Sequence, residues 1–138
     1  MTTDYDFLIR IAFEAREKSL CKYSGFAVGA ALLCRSGEVY TGCNIECGAY
    51  SATVCAERVA LFKALSEGKT EFSAIAVVGG NVDETETVYC SPCGTCRQIL
   101  WEYCDPDDFE VIIARSDVDF SVHSLSELLP FPFAGSKE

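Results

Sequence analysis

Four side chains in two short segments have the chemistry of a metal site with a proton carrier beside it. Cys55 and Glu57 stand two positions apart, and Cys93 and Cys96 follow in a Pro-Cys-Gly-Thr-Cys segment. Three thiolates suit Zn²⁺, which in catalytic sites takes three protein ligands and leaves one position open. A carboxylate beside that position could carry protons. The sequence therefore indicates a metal site assembled from two separated segments.

The first cysteine segment is predicted to belong to a helix. Residues 49–66 contain no glycine or proline and are followed by Glu-Gly, so a helix over 49–66 would carry Cys55 in its first turn. Arg58 would share a face with Cys55 and could offset the net charge of about −1 that three thiolates leave around zinc. Glu57, at i+2, would point away from Cys55 on an ideal helix, so periodicity alone does not bring it to the metal.

The second segment is predicted to start a helix at Pro92, because proline's fixed φ suits the first helical position. Ser91 is then a candidate N-cap, and Cys93 and Cys96 would lie on one side of the first turn. Two alternatives use Cys90. A closed structural zinc site would take it as the fourth ligand. The spacing of Cys90, Cys93 and Cys96 also resembles part of the cysteine motif that binds bacterial iron–sulfur clusters, although the expected fourth cysteine before a proline is missing.

The elements around these segments follow from hydrophobic periodicity. The short link 115–119 cannot hold a parallel crossover, so the strand after it should return antiparallel. The pattern predicts an α/β fold with one mixed sheet of about five strands flanked by helices. We predict a helix over 4–20, a hairpin of strands over 27–34 and 38–43, a strand over 74–78, a helix from 93 to about 105, strands over 109–114 and 120–123, and a closing helix over 124–129.

Length and cysteine content indicate one intracellular domain. The 138 residues suffice for a single domain over 1–138. The acidic N-terminal residues do not resemble a secretory or mitochondrial signal, and no apolar run is long enough to span a membrane. Nine cysteines, an odd number, favour reduced thiols over a disulfide framework. We therefore expect a cytoplasmic protein without a membrane partner.

The charge excludes one class of partner. A formal net charge of −10, with 21 acidic against 11 basic residues, would repel a phosphate backbone. The basic residues are also scattered rather than clustered. We expect a small neutral substrate and no nucleic acid.

Other residues with metal or acid–base chemistry have simpler interpretations. Cys21, Cys34, Cys43 and Cys104 are most simply small buried hydrophobic residues. His123, the single histidine, lies in the predicted last strand, far from both cysteine segments in sequence. We expect it to be a surface or core residue rather than a catalytic base.

Several segments, in order along most of the chain, resemble the small, single-domain type of zinc-dependent cytidine deaminase. Cys-Ala-Glu-Arg and Pro-Cys-x-x-Cys-Arg-Gln are the central motifs, and the other matches make the resemblance specific. It implies the three-layer fold of that family, with a mixed five-stranded sheet between helices. The similar segments are residues 23–33, 42–46, 55–58, 64–68, 92–98 and 127–130.

The resemblance implies a catalytic rather than a closed metal site. Cys55, Cys93 and Cys96 would bind one Zn²⁺ per chain, with water in the fourth position. Glu57 would carry a proton from that water to the pyrimidine ring nitrogen and later help ammonia leave, while hydroxide attacks C4 of cytosine. Cytidine and deoxycytidine would become uridine and deoxyuridine, a reaction of pyrimidine salvage.

The resemblance also assigns contacts with the nucleoside. Asn44 and Glu46 would hydrogen-bond the ribose hydroxyls, Phe26 would pack near the base, and the backbone of Ala56 would contact the base carbonyl. Without the resemblance, Asn44 and Glu46 are a polar turn after a strand, and Phe26 is an ordinary core residue.

Two aromatic residues match family positions near subunit contacts. Phe133 would cover the site of a neighbouring subunit, and Tyr50 would lie close to such a contact, so the resemblance implies a homotetramer. The competing interpretation of Phe133 is a tail over the protein's own core.

The chain departs from the family at Cys47-Gly48, where asparagine and then a small residue are usual, so the loop behind Glu46 could be altered. A deaminase of another cytosine-bearing compound, of the blasticidin type, would share both cysteine motifs. The intact Asn-Ile-Glu segment favours ordinary nucleosides.

Overall fold

The computed structural model describes residues 3–134, and within them the helices and strands follow one another in the predicted order. The elements are α1 Tyr5–Arg16, β1 Phe26–Cys34, β2 Val39–Cys43, a 3-10 turn Tyr50–Ala52, α2 Ala56–Ser66, β3 Phe72–Asn81, α3 Gly94–Tyr103, β4 Glu110–Ala114, β5 Phe120–Ser124 and α4 Leu125–Leu128.

The five strands form one mixed sheet in the order β2-β1-β3-β4-β5. β1 is antiparallel to β2 and to β3, whereas β3 and β4 are parallel, with Ala76 opposite Ile112. β5 returns antiparallel to β4 and pairs Phe120 with Ala114. The predicted mixed sheet and its antiparallel last strand are confirmed.

Helices cover both faces of the sheet, which confirms three layers. The central strand β3 is buried along nearly its whole length, as a continuous apolar run between two helical layers requires. On one face α1 contributes Leu8, Ile9 and Ala12 to a core with Ala31, Ala76 and Ile112. On the other, α2, α3 and α4 contribute Ala60, Leu61, Leu100 and Leu125 to a core with Leu32, Val77 and Val111.

Glycines allow two strands to touch the helices directly. A Cβ on Gly29 in β1 would stand 2.1 Å from the Ala12 carbonyl oxygen of α1, and one on Gly42 in β2 would stand 2.2 Å from the Ala56 carbonyl oxygen of α2. Side chains cannot be accommodated at these distances without movement of the backbone. The start of α2 is therefore set by its direct contact with β2.

Two predicted helices are too long at one end. The prediction for α1 runs to residue 20, but the helix ends at Arg16 and Leu20 instead forms a bridge with Ile45. The prediction for α2 starts at residue 49, but the helix begins at Ala56, because a 3-10 turn and a bridge between Ile45 and Val54 occupy the residues before it. Long-range pairing overrides local helix propensity in both places.

The start of α3 also differs from the prediction. The helix begins at Gly94, and its N-cap is Cys93 rather than Ser91. Pro92 therefore precedes the helix instead of occupying its first position. Within residues 3–134, no helix has the length and apolar character needed to cross a membrane.

Candidate active site

Three thiols converge where α2 and α3 begin. The Sγ atoms of Cys55 and Cys93 are 3.8 Å apart, those of Cys93 and Cys96 are 3.6 Å apart, and all three lie within 4.8 Å of one another. Tetrahedral zinc with Zn–S bonds of about 2.3 Å requires S···S separations of about 3.8 Å. The spacing of the thiols fits one zinc ion.

The convergence depends on the helix starts. Cys55 and Cys93 are the N-caps of α2 and α3, both in extended conformation and neither bonded through its side chain to the helix it precedes. Their sulfurs are therefore free to face a common point, and Cys96 reaches it from the first turn of α3, fully buried. Both helix dipoles stabilise negative charge at this point.

Arg58 lies beside the thiols, where the sequence predicts it. Its Nη2 donates to the Cys55 sulfur at 3.4 Å. Hydrogen bonding with Cys96 and with Arg58 lowers the pKa of Cys55 to about 5. The hydrogen bond between Cys55 and Cys96, together with burial, raises the pKa of Cys96. Arg58 and the neighbouring thiol thus favour the thiolate form of Cys55.

Glu57 is buried close to the thiols, with 4% of its surface exposed. Burial first, and then the charge on Cys55, raise the pKa of Glu57 to about 7. The ideal-helix geometry that would point Glu57 away from Cys55 does not apply, because Cys55 is an N-cap outside the regular helix. A buried carboxyl with this pKa can hold or release a proton near neutrality.

A cavity of about 320 Å³ opens onto the thiols and Glu57, a volume suited to a small ligand. An open groove of about 570 Å³ beside Arg115 and Asp119 is larger but contains no thiol, so the smaller cavity carries the chemistry. Seven of the predicted site residues line the smaller cavity: Phe26, Asn44, Glu46, Cys55, Ala56, Glu57 and Cys93.

The Asn44 side chain is built into the wall of the cavity. Its Nδ2 donates to the Phe26 carbonyl at 2.8 Å, and its Oδ1 accepts from the Val28 amide at 2.9 Å and from the Ser19 hydroxyl. One Nδ2–H remains available for a ligand. Asn44 therefore supports the start of β1 as well as lining the cavity.

Glu46 holds the turn on the other side of the same wall. Its Oε1 accepts from the amides of Tyr23 and Ser24, each at 3.0 Å, and its Oε2 accepts from the Ser24 hydroxyl. The Ser24 bonds lower the pKa of Glu46. An ionised acceptor with a fixed orientation thus faces the cavity.

Cys90 lines the cavity but does not belong to the group of thiols that could hold a metal. It packs against Gly79, where a Cβ would stand 2.9 Å from the Cys90 sulfur. Burial and the charges of Glu57 and Cys55 raise the pKa of Cys90 to about 12. This arrangement disfavours a closed site with four cysteine ligands.

Two predicted substrate contacts lie outside this cavity. Tyr50 is 74% exposed and packs edge-on against Tyr23, with 5.9 Å between ring centroids. Phe133 is 77% exposed, and its backbone is hydrogen-bonded to the Gln98 side chain. The structure does not bring either aromatic side chain to the cavity of its own chain.

Several residues at the cavity were not predicted to be part of the site. Ser24, Val28, Thr53 and Ser91 line it together with Cys90. They come from loops and strand starts whose composition is ordinary, so no pattern in a single sequence marks them. Hydrogen bonds in the folded chain account for the placement of two of them, because Ser24 bonds Glu46 and the Val28 amide bonds Asn44.

The simpler interpretations hold for most of the remaining candidates. Cys21, Cys34 and Cys104 are buried as expected, whereas Cys43 is only half-buried. His123 lies on the edge strand β5, where Nε2 is 2.9 Å from the Ser121 hydroxyl, and it does not line the cavity.

Comparisons with known proteins agree with this site. Residues 2–110 match the family described as the cytidine and deoxycytidylate deaminase zinc-binding region. A cytidine deaminase of Halalkalibacterium halodurans is 47% identical over 94% of this chain and 94% of its own length. One of Sporosarcina psychrophila is 44% identical over 95% of this chain and 92% of its own length.

Solved structures show the same fold. The crystal structure of cytidine deaminase from Burkholderia pseudomallei superposes with a TM-score of 0.84 and 43% identity, over 96% of this chain and all of that one.

A more distant relative is a blasticidin-S deaminase of Bacillus cereus, 34% identical over 77% of this chain and 76% of its own length. The chain belongs to the cytidine deaminase family of zinc-dependent hydrolytic enzymes.

Proposed function

We propose that the protein hydrolyses cytidine and deoxycytidine to uridine and deoxyuridine with release of ammonia. The observation that carries this proposal is the convergence of three thiols and one buried carboxyl, Glu57, at a cavity of about 320 Å³. The two similar proteins called cytidine deaminases extend over nearly the whole chain and support the same reaction.

The proposed zinc ligands are Cys55, Cys93 and Cys96, whose spacing suits tetrahedral coordination. When bound, zinc supplies a Lewis acid that activates water for attack on C4 of cytosine. Arg58 offsets the excess negative charge of the thiolates through its hydrogen bond to Cys55. Without that charge, three thiolates would make the site less electrophilic.

Glu57 is the proposed proton carrier. Its pKa of about 7 suits a group that gains a proton in one step and gives it up in the next, here to the ring nitrogen of the pyrimidine. The nearby Cys90 thiol has a pKa of about 12, so it stays protonated and does not compete as a base. The acid–base chemistry therefore rests on one carboxyl.

The opposite wall of the cavity is proposed to bind the sugar. The ionised Glu46 can accept hydrogen bonds from ribose hydroxyls, and the remaining Nδ2–H of Asn44 can donate one. Phe26 supplies an apolar wall for the base, and the backbone of Ala56 is close enough to the cavity to contact the base carbonyl. These contacts would distinguish a nucleoside from free cytosine.

We further propose a homotetramer, acting in pyrimidine salvage in the cytoplasm. The exposed aromatics Tyr50 and Phe133 support contacts between subunits, because large apolar side chains at such exposure are typical of interaction surfaces. The thiol cluster requires reduced cysteines, which supports a reducing compartment. In such an assembly, Phe133 would cover a neighbour's site.

A second candidate is the deamination of a cytosine-bearing antibiotic. It is favoured by the similarity to a blasticidin-S deaminase, at 34% identity. The positions of Asn44 and Glu46 on the cavity wall favour an ordinary nucleoside instead.

The test measures ammonia release and the accompanying ultraviolet change on cytidine, deoxycytidine, free cytosine and blasticidin S, with zinc quantified in the same preparation. We expect turnover of the two nucleosides, little turnover of free cytosine, and about one zinc per chain. Glu57→Gln is the matched control, because it keeps the shape of the side chain but removes the acid–base function. It should retain zinc and lose turnover by several orders of magnitude.

Other outcomes would contradict the proposal. Turnover of blasticidin S alone would establish the second candidate. Zinc binding without turnover of any of the four compounds, together with unchanged properties in Glu57→Gln, would indicate a structural zinc module.

A further inference from the structure

The hydroxyl of Ser24 connects two parts of the cavity wall through hydrogen bonds. It donates to Oε2 of Glu46 and accepts from the backbone amide of Phe26 at 3.0 Å. All three residues line the cavity. One oxygen atom therefore stands between the carboxylate proposed to bind the sugar and the residue proposed to pack against the base.

The two partners fix the direction of the Ser24 hydroxyl. A backbone N–H can only donate and an ionised carboxylate can only accept, so the Phe26 amide uses a lone pair of the Ser24 oxygen. The single hydroxyl hydrogen is then left for Glu46. Hydrogen bonds to an ionised acceptor are the stronger kind, and the Ser24 bonds lower the pKa of Glu46. The hydroxyl therefore holds the carboxylate in its ionised form.

The two carboxylate oxygens of Glu46 are held in different ways. Oε1 accepts from the backbone amides of Tyr23 and Ser24, which no change of side chain removes. Within residues 3–134, Oε2 is held by the Ser24 hydroxyl alone. An acceptor whose direction is fixed before the ligand arrives loses less conformational entropy on binding. The Ser24 hydroxyl thus completes the orientation of Glu46.

The backbone around Ser24 has further hydrogen bonds that do not involve the hydroxyl. The Gly25 amide donates to the Cys21 carbonyl at 2.8 Å. The Phe26 carbonyl accepts from the Asn44 side chain at 2.8 Å. Removal of the hydroxyl should therefore leave the turn and the start of β1 in place.

We propose that Ser24 is a positioning residue that orients the Glu46 carboxylate for the ribose hydroxyls and thereby favours nucleosides over free cytosine. This inference rests on the proposed function and adds a residue to it. Ser24 acts through Glu46, because its hydroxyl hydrogen is already donated to that carboxylate.

The first test compares KM and kcat for cytidine in wild type, Ser24→Ala and Ser24→Thr. We expect Ser24→Ala to raise KM about fivefold or more, because a hydrogen bond to a charged group is lost. Its kcat and zinc content should stay close to wild type, because the thiols and Glu57 are unchanged. Ser24→Thr keeps the hydroxyl, and its added methyl group can face solvent at this exposed position, so its KM should return toward wild type.

Ser36→Ala is the matched control for the loss of a serine hydroxyl. The Ser36 hydroxyl also donates to a glutamate, Glu38, at 3.3 Å, but neither residue lines the cavity. The same substitution at this position should leave KM for cytidine unchanged.

The second test uses 2′,3′-dideoxycytidine, which lacks the ribose hydroxyls proposed to bind Glu46. We expect the wild-type protein to have a higher KM for this compound than for cytidine, and Ser24→Ala to leave that KM unchanged. A turn damaged by the substitution would instead raise KM for both compounds. Because KM does not depend on the concentration of active enzyme, partial unfolding of a variant does not affect the comparison.

A double-mutant cycle with Glu46→Gln tests whether Ser24 acts through the carboxylate. Glu46→Gln removes the ionised acceptor, so Ser24→Ala should raise KM for cytidine less in this background than in wild type.

Three results would overturn the proposal: an unchanged KM for cytidine in Ser24→Ala, an equal rise in KM for cytidine and 2′,3′-dideoxycytidine, or an undiminished effect of Ser24→Ala in the Glu46→Gln background. A KM in Ser24→Thr as high as in Ser24→Ala would also overturn it. Absence of cytidine turnover in the wild-type protein itself would instead overturn the proposed function, so the two failures are distinguishable.

Discussion

Gly42 in β2 lies so close to the main chain of Ala56 that a Cβ on Gly42 would stand 2.2 Å from the Ala56 carbonyl oxygen and 2.6 Å from the Ala60 amide nitrogen. The contact joins the edge strand β2 to the first turn of α2, where Glu57 lies. Because both partners are backbone, neither can rotate away. The position of the proton carrier thus depends on the absence of a side chain at Gly42.

Gly42→Ala should displace the start of α2. We expect a loss of about 1–3 kcal/mol in the free energy of unfolding, together with reduced zinc content and turnover. Gly94→Ala is the matched control, because Gly94 has no atom within 4 Å of a Cβ and lies in a helix, where alanine is favourable. Urea unfolding and zinc analysis compare the two. Equal stability, zinc content and turnover in both variants would contradict the importance of the contact.

Arg58→Ala should weaken the metal site by removing a cation from the thiolates. Arg58 contacts the cluster through its hydrogen bond to the Cys55 sulfur, and such supporting contacts typically account for about 10–100-fold in metal affinity or activity. Arg58→Lys keeps the charge but loses the planar guanidinium, so it should fall between Arg58→Ala and wild type. Competition with a zinc chelator measures the affinity. Wild-type affinity and turnover in Arg58→Ala would refute this role.

The Cys90→Ser variant distinguishes a catalytic zinc site with three cysteine ligands from a closed zinc site with four. Because Cys90 lies outside the group of thiols within 4.8 Å of one another, we expect Cys90→Ser to retain about one zinc per chain. Cys96→Ser removes a proposed ligand of the same residue type from the same segment and should lose zinc. Zinc loss from Cys90→Ser equal to that from Cys96→Ser would support the structural zinc site instead.

The fold could be predicted from the sequence where periodicity is long or connections are short. The continuous apolar run of β3 and the short link 115–119 were sufficient to predict a buried central strand and an antiparallel last strand, and both are confirmed. The starts of α2 and α3 could not be predicted. Residues 49–55 have helix-compatible composition, and the 3-10 turn together with the bridge between Val54 and Ile45 prevents a helix there.

Contacts that form only in the folded chain also explain what was missed at the site. The types and spacing of Cys55, Cys93 and Cys96 were enough to predict the thiol cluster. Glu57 was assigned as the proton carrier through the family resemblance, because its i+2 spacing from Cys55 does not suit one face of an ideal helix and the N-cap position of Cys55 could not be predicted. The double use of Asn44, as a cavity residue and as a support for β1, depends on contacts that a sequence pattern does not contain.

The pKa of Glu57 makes the stability of the zinc-free protein depend on pH. Burial and the charge on Cys55 raise this pKa from the usual 4.5 to about 7, so the stabilising contribution is fully present below pH 4.5 and is lost as the pH rises through 7. Between pH 4.5 and 8 the loss should reach about 3 kcal/mol. Glu57→Gln cannot ionise, so it should lack this loss, and urea unfolding in the presence of a chelator compares the two proteins. The remaining thiols titrate in both, so an identical pH dependence would mean that Glu57 does not keep its proton in the folded state.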